Sequence, residues 1–334
     1  MLKIESMHFY KTIFVLSIMF TNSKLFSYEE GIALNGDLEI YYRDYGPKDA
    51  EPILLVQGIG GQLINWPEHL IDFLLENNFR PIVYDNRDTG LSSRIPSDSF
   101  SDAKRDNTIV RNYIRYYLRL PIKSDYTLDD MAVDGISVLD KLDISEAHIL
   151  GISMGGMIAQ IIVSSHPERT KTFTLISSTA STPSPFNGPT RKVRKLLMNR
   201  TKNPNSTVDE RVARSRKIFT EIGYQGIDLN TEEFYNNVSI SIERGGKDDT
   251  GFGRQLNAIL ASQNRLDKVK SISSPTLIIH GLEDPLIKVK NAHKANKLIK
   301  GSKLIIIDDM RHLIEPPVFN QFKDDLLEHL VKNK

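Results

Sequence analysis

Ile149-Leu-Gly-Ile-Ser-Met-Gly-Gly-Met157 joins the end of an apolar run of strand length to a longer apolar run with helical spacing, residues 154–165. Ser153 stands in the middle, with Gly151 two residues before it and Gly155 two residues after it. A strand that turns into a helix within so few residues strains the residue at the turn. Small neighbours are needed because a Cβ there collides with the strand and the helix. The stretch therefore predicts a serine hydroxyl raised above the end of a sheet, at a helix N-terminus.

Short apolar runs alternate with helical patterns in two parts of the chain, residues 28–178 and 272–334. Strand, helix and strand in succession, with glycine-rich turns after the strands, predict an α/β fold with a mostly parallel sheet and helices on both faces. Strands are expected at 38–45, 53–56, 81–84, 147–150, 172–177, 275–280 and 304–307, and helices at 69–77, 127–142, 154–165, 288–299 and from 317 onward.

The pattern changes between residues 179 and 271. Strand-like apolar runs disappear, and amphipathic helical stretches dominate at 191–198, 208–222 and 252–264. Such a segment is too long for a simple connection between neighbouring strands, and it predicts a helical cap over the active site. We interpret the basic run at 191–195 as the solvated face of a cap helix rather than as a nucleic-acid site.

The composition is that of an ordinary globular protein. Of the 334 residues, 40% are hydrophobic and 25% are charged, and the net charge of +1 gives no reason to expect a nucleic-acid partner. The absence of cysteine excludes a disulfide framework, a zinc–thiolate site and a cysteine nucleophile. No histidine or carboxylate cluster has metal-ligand spacing, so we predict neither a metal nor a cofactor. The oligomeric state stays open.

Residues 1–27 have the pattern of a signal peptide. Lys3 and Lys11 precede an apolar run at 12–20, which is too short to span a bilayer as a stable helix. The segment predicts export to the periplasm or the medium, with no stable membrane span in the mature protein. The alternative is an amphipathic or buried N-terminal helix in a cytoplasmic protein.

A serine, an acid and a histidine follow three different strands. A serine hydroxyl is a poor nucleophile until a base takes its proton, and a third group usually orients that base. Ser153 follows one predicted strand, Asp284 a later one and His312 the last, and loops at the carboxyl ends of parallel strands converge on one edge of a sheet. The order therefore predicts a catalytic triad. The competing acids are Glu283, Asp308 and Asp309.

Other chemistry-bearing side chains have simpler interpretations. Asp85, Arg87 and Asp88 are expected to brace a loop through ion pairs. The other histidines are expected to have structural or solvent-facing roles. His148 should make a hydrogen bond in the core, and His166 should end a helix. His280 should brace the acid loop, and His293 should face solvent. The glycine-rich segment 57–61 lacks the Lys-Ser/Thr and the spacing of a phosphate-binding loop.

Six segments carry a resemblance to the α/β-hydrolase superfamily from about residue 31 to the end. They are Gly58-Ile-Gly-Gly-Gln-Leu-Ile-Asn-Trp-Pro67, Tyr84-Asp-Asn-Arg-Asp-Thr-Gly-Leu-Ser92, Tyr126-Thr-Leu-Asp-Asp-Met131, Leu150-Gly-Ile-Ser-Met-Gly-Gly-Met-Ile-Ala-Gln160, His166-Pro-Glu-Arg169 and His280-Gly-Leu-Glu-Asp-Pro285. Within the superfamily, the chain resembles bacterial esterases and lipases of the group that includes aclacinomycin methylesterase. The resemblance implies the α/β-hydrolase fold, with Ser153 as nucleophile, Asp284 as triad acid and His312 as general base.

The resemblance also implies an oxyanion hole made by the backbone N–H groups of Ile59 and Met154. Gly58 and Gly60 would leave room for a substrate carbonyl oxygen to approach the main chain. Candidate pocket walls are Trp66 and the cap aromatics Phe186, Phe219 and Phe234. The chain departs from the family pattern at Gln57, where many members have histidine, and at Arg311, where the family usually has glycine before the base.

These features predict a serine esterase acting on a small or medium carboxylic ester through an acyl-enzyme. The same triad serves other reactions, namely thioester hydrolysis, C–C bond hydrolysis and cofactor-free haloperoxidation, and the sequence leaves these open. Epoxide hydrolysis and dehalogenation are disfavoured because they need a carboxylate where Ser153 stands. A non-catalytic, ligand-sensing protein of the same fold is the alternative from a different class.

Overall fold

The computed structural model of the chain describes residues 27–96, 105–118, 120–181, 188–199, 206–245, 250–262 and 265–333. The predicted signal segment thus lies outside the described residues, apart from Ser27. Within the described part, no helix is both long and apolar enough to cross a bilayer.

One eight-stranded sheet organises the described residues, with the strand order β1-β2-β4-β3-β5-β6-β7-β8. Strand β2 is antiparallel to both of its neighbours, and all other neighbouring strands pair in parallel. The strands are β1 (Tyr28–Asn35), β2 (Leu38–Tyr45), β3 (Glu51–Val56), β4 (Phe79–Tyr84), β5 (Ala147–Ile152), β6 (Thr170–Ile176), β7 (Thr276–Gly281) and β8 (Lys303–Ile307).

Helices connect the strands and also make up the segment between β6 and β7, which is predicted as a cap and keeps that name below. Those of the two core segments are α1 (Glu68–Glu76), α2 (Arg105–Tyr117), α3 (Leu128–Lys141), α4 (Met154–Ser165), α10 (Lys290–Leu298), α11 (Pro316–Phe319) and α12 (Lys323–Val331). Those between β6 and β7 are α5 (Arg191–Asn199), α6 (Val208–Ile222), α7 (Glu232–Gly245), α8 (Thr250–Ala261) and α9 (Leu266–Ser271). The described residues between β6 and β7 contain no strand, as expected for a helical cap.

The core lies on both faces of the sheet. Alternate residues of β3 point to opposite sides, so Leu54 and Val56 join a hydrophobic cluster with α3, α4 and α10. Ile53 and Leu55 join a second cluster with α1 and α12. This double burial explains why the parallel strands read as continuous apolar runs in the sequence. The predicted α/β fold with helices on both faces is confirmed.

Several predicted elements match the structure closely. The bounds of β2 and α6 agree to the residue, and the helix predicted at 127 begins with a capping box at Thr127, whose side chain accepts from Asp130 N–H. Strand β1 and helices α7 and α9 were not predicted, and the terminal helix is divided into α11 and α12. Of the basic run 191–195, only Val193 is buried, which confirms a solvated face.

The glycines around Ser153 allow α4 to start against the ends of β3 and β5. A Cβ on Gly155 would overlap the carbonyl oxygen of Val56, and one on Gly151 would lie 2.5 Å from the carbonyl oxygen of Gly155. Backbone atoms cannot move aside as a flexible side chain does. The predicted need for small residues at this turn is confirmed.

We expect Gly155→Ala to lower the free energy of unfolding by about 3 kcal/mol or more, because the new methyl group meets backbone atoms. The matched control is Gly36→Ala, at a positive φ of 60° with no atom near the new Cβ. It tests backbone strain alone, for which the expected cost is roughly 1 kcal/mol. Urea denaturation measures the free energy of unfolding of both variants. Equal losses of this free energy would contradict the packing argument.

Candidate active site

Ser153, Asp284 and His312 lie at the carboxyl ends of strands that are neighbours or near neighbours in the sheet. Ser153 joins β5 to α4, Asp284 follows β7 and His312 follows β8. All three residues are buried, with exposed fractions of 8%, 5% and 3%. The ring nitrogen Nδ1 of His312 lies 2.7 Å from Oδ2 of Asp284. The structure thus brings the predicted acid and base into direct hydrogen-bond contact.

The carboxylate of Asp284 is fixed by its own loop. Its Oδ1 accepts hydrogen bonds from the N–H groups of Leu286 at 2.8 Å and Ile287 at 2.9 Å. The other oxygen, Oδ2, makes the hydrogen bond to His312. The competing acids do not occupy this position, because Glu283, Asp308 and Asp309 are exposed.

His280 braces the same loop. Its Nε2 lies 2.7 Å from the carbonyl oxygen of Ile287 and 3.5 Å from Oδ2 of Asp284. Burial lowers the pKa of His280, which favours the neutral ring with its Nε2 proton donated to the carbonyl. The predicted bracing role is therefore confirmed. His148 likewise makes a core hydrogen bond to Thr172 Oγ1 at 2.8 Å.

Ser153 occupies a strained backbone conformation that is anchored on both sides. Its φ of 56° is in the left-handed region, which residues other than glycine rarely adopt. Its N–H donates to the carbonyl of Ile176 at 3.0 Å, and its carbonyl accepts from Ser178 Oγ at 2.6 Å. The end of β6 and Ser178, two residues beyond it, therefore hold the turn in place, and the positive φ falls on the predicted nucleophile.

The loop that follows β3, residues 57–61, lies directly beside Ser153. A Cβ on Gly58 would be 3.2 Å from Cβ and 3.8 Å from Oγ of Ser153. The Gly58 N–H donates to the side-chain oxygen Oε1 of Gln57 at 2.8 Å. Gln57, which replaces the histidine of many family members, thus stabilises the loop from within.

Two more contacts fix the peptide planes of this loop. Gly61 N–H donates to the carbonyl of Gly58 at 3.1 Å, and Gly60 N–H donates to Gln255 Oε1 at 2.8 Å. Because the peptide is trans, the Ile59 N–H points opposite to the Gly58 carbonyl, away from the inside of this turn. Among the described residues, no hydrogen bond uses the Ile59 N–H, which is therefore available to an oxyanion.

Met154 supplies the second predicted donor. It is the first residue of α4, and the first N–H groups of a helix have no carbonyl partner within the helix. The positive end of the α4 dipole adds to the attraction for a developing negative charge. Within the described ranges, both predicted donors are thus backbone N–H groups without a hydrogen-bond acceptor.

Asp85 and Asp88, in the loop after β4, bind the cap to the core. Asp85 accepts from the N–H groups of Leu63 and Leu91 and lies 2.7 Å from Nη1 of Arg244, at the end of α7. Burial raises the pKa of Asp85, and Arg244 opposes this by favouring the charged form. Asp88 receives two hydrogen bonds from Arg254 of α8, at 2.7 and 2.8 Å.

Arg87 completes the loop, with two hydrogen bonds to Asp134 of α3 at 2.6 and 2.7 Å. The predicted role of this loop, bracing through ion pairs, is confirmed. The sequence does not reveal which cap residues bind these loops, namely Arg244, Arg254 and Gln255. No local pattern could have identified them, because each meets its partner more than 150 positions away in the chain.

The predicted pocket walls have different surroundings. Trp66 is buried in the hydrophobic cluster on the α1 side of the sheet, as is Leu70. Phe219 and Phe234 contact each other on the cap, with ring centroids 5.6 Å apart, and Phe219 is exposed. Phe186 lies outside the described residues. A place in the pocket wall stays a prediction for all of these aromatic residues.

No group of three or more histidine and carboxylate side chains in the described part of the chain is arranged to hold a metal ion. The chemistry that the geometry supports is nucleophilic, since a strained serine lies beside unsatisfied backbone donors and the sheet edge supplies a paired histidine and aspartate.

Comparison with known proteins gives a consistent result. The family model described as alpha/beta hydrolase fold matches residues 51–314. Rhodomycin D methylesterase of Streptomyces peucetius is 25% identical over 312 residues, which cover 89% of this chain and 92% of that protein. A non-heme chloroperoxidase of Burkholderia pyrrocinia is 23% identical over 287 residues, which cover 82% of this chain and 89% of that protein.

Solved structures show the same fold. The 2-hydroxy-6-oxo-6-phenylhexa-2,4-dienoate hydrolase from Rhodococcus sp. superposes with a TM-score of 0.68 at 18% identity, covering 92% of this chain and all of that one. An enol-lactonase from Burkholderia xenovorans superposes with a TM-score of 0.67 at 19% identity, covering 90% of this chain.

We expect Arg254→Met to lower the free energy of unfolding by about 3 kcal/mol, because it leaves the buried Asp88 carboxylate without its cation. The control is Lys48→Met, which breaks an exposed ion pair with Glu29 and should leave stability nearly unchanged. Chemical denaturation measures both. A small effect of Arg254→Met, comparable to the control, would contradict an anchoring role for this ion pair.

Proposed function

Because the chain belongs to the α/β-hydrolase family, we propose that it is a serine esterase that hydrolyses a small or medium carboxylic ester. The observation that carries the proposal is the 2.7 Å contact between His312 Nδ1 and Asp284 Oδ2 on the sheet edge that also bears the strained Ser153. The similarity to a methylesterase over nearly the full length of both chains supports ester hydrolysis.

Acylation begins when Ser153 Oγ attacks the ester carbonyl carbon and its proton passes to Nε2 of His312. The contact between Nδ1 and Asp284 keeps the Nδ1 proton in place, so Nε2 carries the lone pair that accepts the serine proton. The carbonyl oxygen becomes an oxyanion, which the N–H groups of Ile59 and Met154 stabilise. His312 then gives its Nε2 proton to the alcohol oxygen as the C–O bond breaks.

Deacylation repeats these steps with water in place of the serine. His312 takes a proton from water, and the resulting hydroxide attacks the acyl carbon of Ser153. When the second tetrahedral intermediate collapses, the Ser153 oxygen leaves and takes the proton from His312. The products are a carboxylic acid and an alcohol, and the enzyme returns to its starting state without a metal or a cofactor.

A second candidate reaction is cofactor-free haloperoxidation on the same triad. It is favoured by one observation, the similarity to a non-heme chloroperoxidase over most of both chains. The two reactions share the nucleophile and differ in what attacks the acyl group. Halogenation of monochlorodimedone by the purified protein, with peroxide, bromide and a carboxylic acid present, tests this candidate separately.

We expect the purified chain to hydrolyse p-nitrophenyl esters in a series of increasing acyl length, and Ser153→Ala to abolish both turnover and labelling by a fluorophosphonate. The chain-length profile would give the size of the acyl pocket. Labelling without turnover would mean a competent nucleophile that acts on another acyl group. Folded protein with neither signal would contradict the esterase and favour a ligand-sensing role.

We expect Asp284→Asn to lower kcat by about 10⁴-fold, because an amide donor at this position stabilises the wrong histidine tautomer. The matched control is Glu283→Gln, the same change at the exposed neighbouring acid, which should leave kcat within about twofold of wild type. Steady-state hydrolysis of the best p-nitrophenyl ester measures both. A larger loss in Glu283→Gln than in Asp284→Asn would overturn the assignment of the acid.

A further inference from the structure

Arg311 is the residue where the loop that carries the base departs from the family pattern, and its side chain reaches the cap. We call residues 308–315, between β8 and α11, the histidine loop. Nη1 of Arg311 donates a hydrogen bond to the carbonyl oxygen of Glu221, in the last turn of α6, at 2.7 Å. A glycine at this position has no side chain to make that contact.

The C-terminal end of α6 needs partners from outside the helix. The last carbonyls of a helix have no intrahelical donor. Glu221 accepts from Arg311, and the next carbonyl, that of Ile222, accepts from the backbone N–H of His312 at 2.8 Å. The histidine loop therefore supplies hydrogen-bond donors to the C-terminal end of α6. In return, α6 fixes the backbone of His312.

Charge strengthens this contact. The C-terminus of a helix carries a partial negative charge, so a guanidinium group there is favourable. The Arg311 side chain is about one-fifth exposed, and its Nε lies 3.9 Å from Oε2 of Glu283, the neighbour of the triad acid. Arg311, which is part of the histidine loop, thus contacts both α6 and the acid loop.

A third contact joins the same two segments. Oε1 of Glu315 accepts from the backbone N–H of Tyr224, two residues beyond α6, at 2.9 Å. The histidine loop is therefore hydrogen-bonded on both sides of His312, through Arg311 to the last turn of α6 and through Glu315 to Tyr224, just after that helix. Among the described residues, the backbone N–H of His312 makes its hydrogen bond to the cap and not to the core.

We propose that Arg311 is a positioning residue that holds His312 in its catalytic place by fixing the histidine loop to the C-terminus of α6. The inference rests on the proposed function. It adds that a helix of the cap fixes the position of the general base, His312. Displacement of the end of α6 would shift the His312 backbone, because the His312 N–H is bonded to the Ile222 carbonyl.

The test compares Arg311→Ala and Arg311→Lys with a matched control, Arg216→Ala. Arg216 is on α6 and also donates to a single backbone carbonyl, that of Leu229, and its guanidinium lies over the Phe234 ring at 5.7 Å from the centroid. Among the described residues, none of its hydrogen bonds or ion pairs reaches the histidine loop. Arg311 makes one hydrogen bond to one carbonyl and not a bidentate pair. A lysine ammonium can replace that contact, so Arg311→Lys is the conservative variant.

For hydrolysis of a p-nitrophenyl ester, we expect Arg311→Ala to lower kcat by about 10- to 100-fold with KM within about threefold of wild type, because a misplaced base slows the chemistry. Arg311→Lys should recover most of this loss, and Arg216→Ala should keep kcat within about twofold of wild type. A kcat for Arg311→Ala within twofold of wild type would overturn the proposal. So would a rise in KM at unchanged kcat, which would indicate a substrate contact.

Hydrogen exchange tests the attachment without reference to activity. In Arg311→Ala, peptides covering 219–224 and 308–315 should exchange faster than in wild type, whereas Arg216→Ala should leave the second peptide unchanged. Unchanged exchange of both peptides in Arg311→Ala would overturn the positioning role. If wild type hydrolyses no ester, the proposed function fails, and the exchange comparison alone decides whether Arg311 fixes the loop.

Discussion

The contact between the start of α4 and the end of β3 is the constraint on which the site depends. Gly155 leaves no room for a side chain against the Val56 carbonyl, and this close approach forces Ser153 into a left-handed conformation. The same approach places the loop after β3 next to the serine, so that Gly58 lies against its side chain. One packing requirement therefore produces both the position of the nucleophile and the neighbouring backbone donors.

The cap is attached to the catalytic loops through buried polar contacts. On one side, Arg244 and Arg254 pair with the buried carboxylates of the loop after β4, and Gln255 binds Gly60 N–H in the loop beside Ser153. On the other side, the end of α6 binds the histidine loop. Buried ion pairs are weak sources of net stability but costly to break, so they fix an arrangement more than they stabilise it. The helices between β6 and β7 thereby hold the loops of the site in place through these contacts.

The sequence predicted the elements that are buried on both faces and the residues fixed by local geometry. Strands β3 and β7 are continuous apolar runs because helices cover both faces, and Ser153 is marked by glycines that packing requires. Strand β1 escaped prediction because it lies at the sheet edge with most of its residues exposed, and α7 because none of its residues is buried.

The partners of the site residues could not be predicted, because they are fixed by tertiary contacts between distant segments. Arg311 departs from the family pattern in the sequence, and only the structure shows that its side chain bonds the Glu221 carbonyl. Asp284 and Glu283 are adjacent and chemically alike. What separates them is the turn that points Asp284 to the N–H groups of Leu286 and Ile287.

The central claim is that Ser153 forms a covalent acyl-enzyme. Rapid mixing with p-nitrophenyl acetate, acid quenching within the first turnover and peptide mapping by mass spectrometry test it most directly. The account predicts a burst of p-nitrophenol equal to the enzyme concentration, with an acetyl group on the peptide that contains Ser153 and on no other serine. A burst with the acetyl group elsewhere, or steady turnover with no covalent adduct at Ser153, would contradict it.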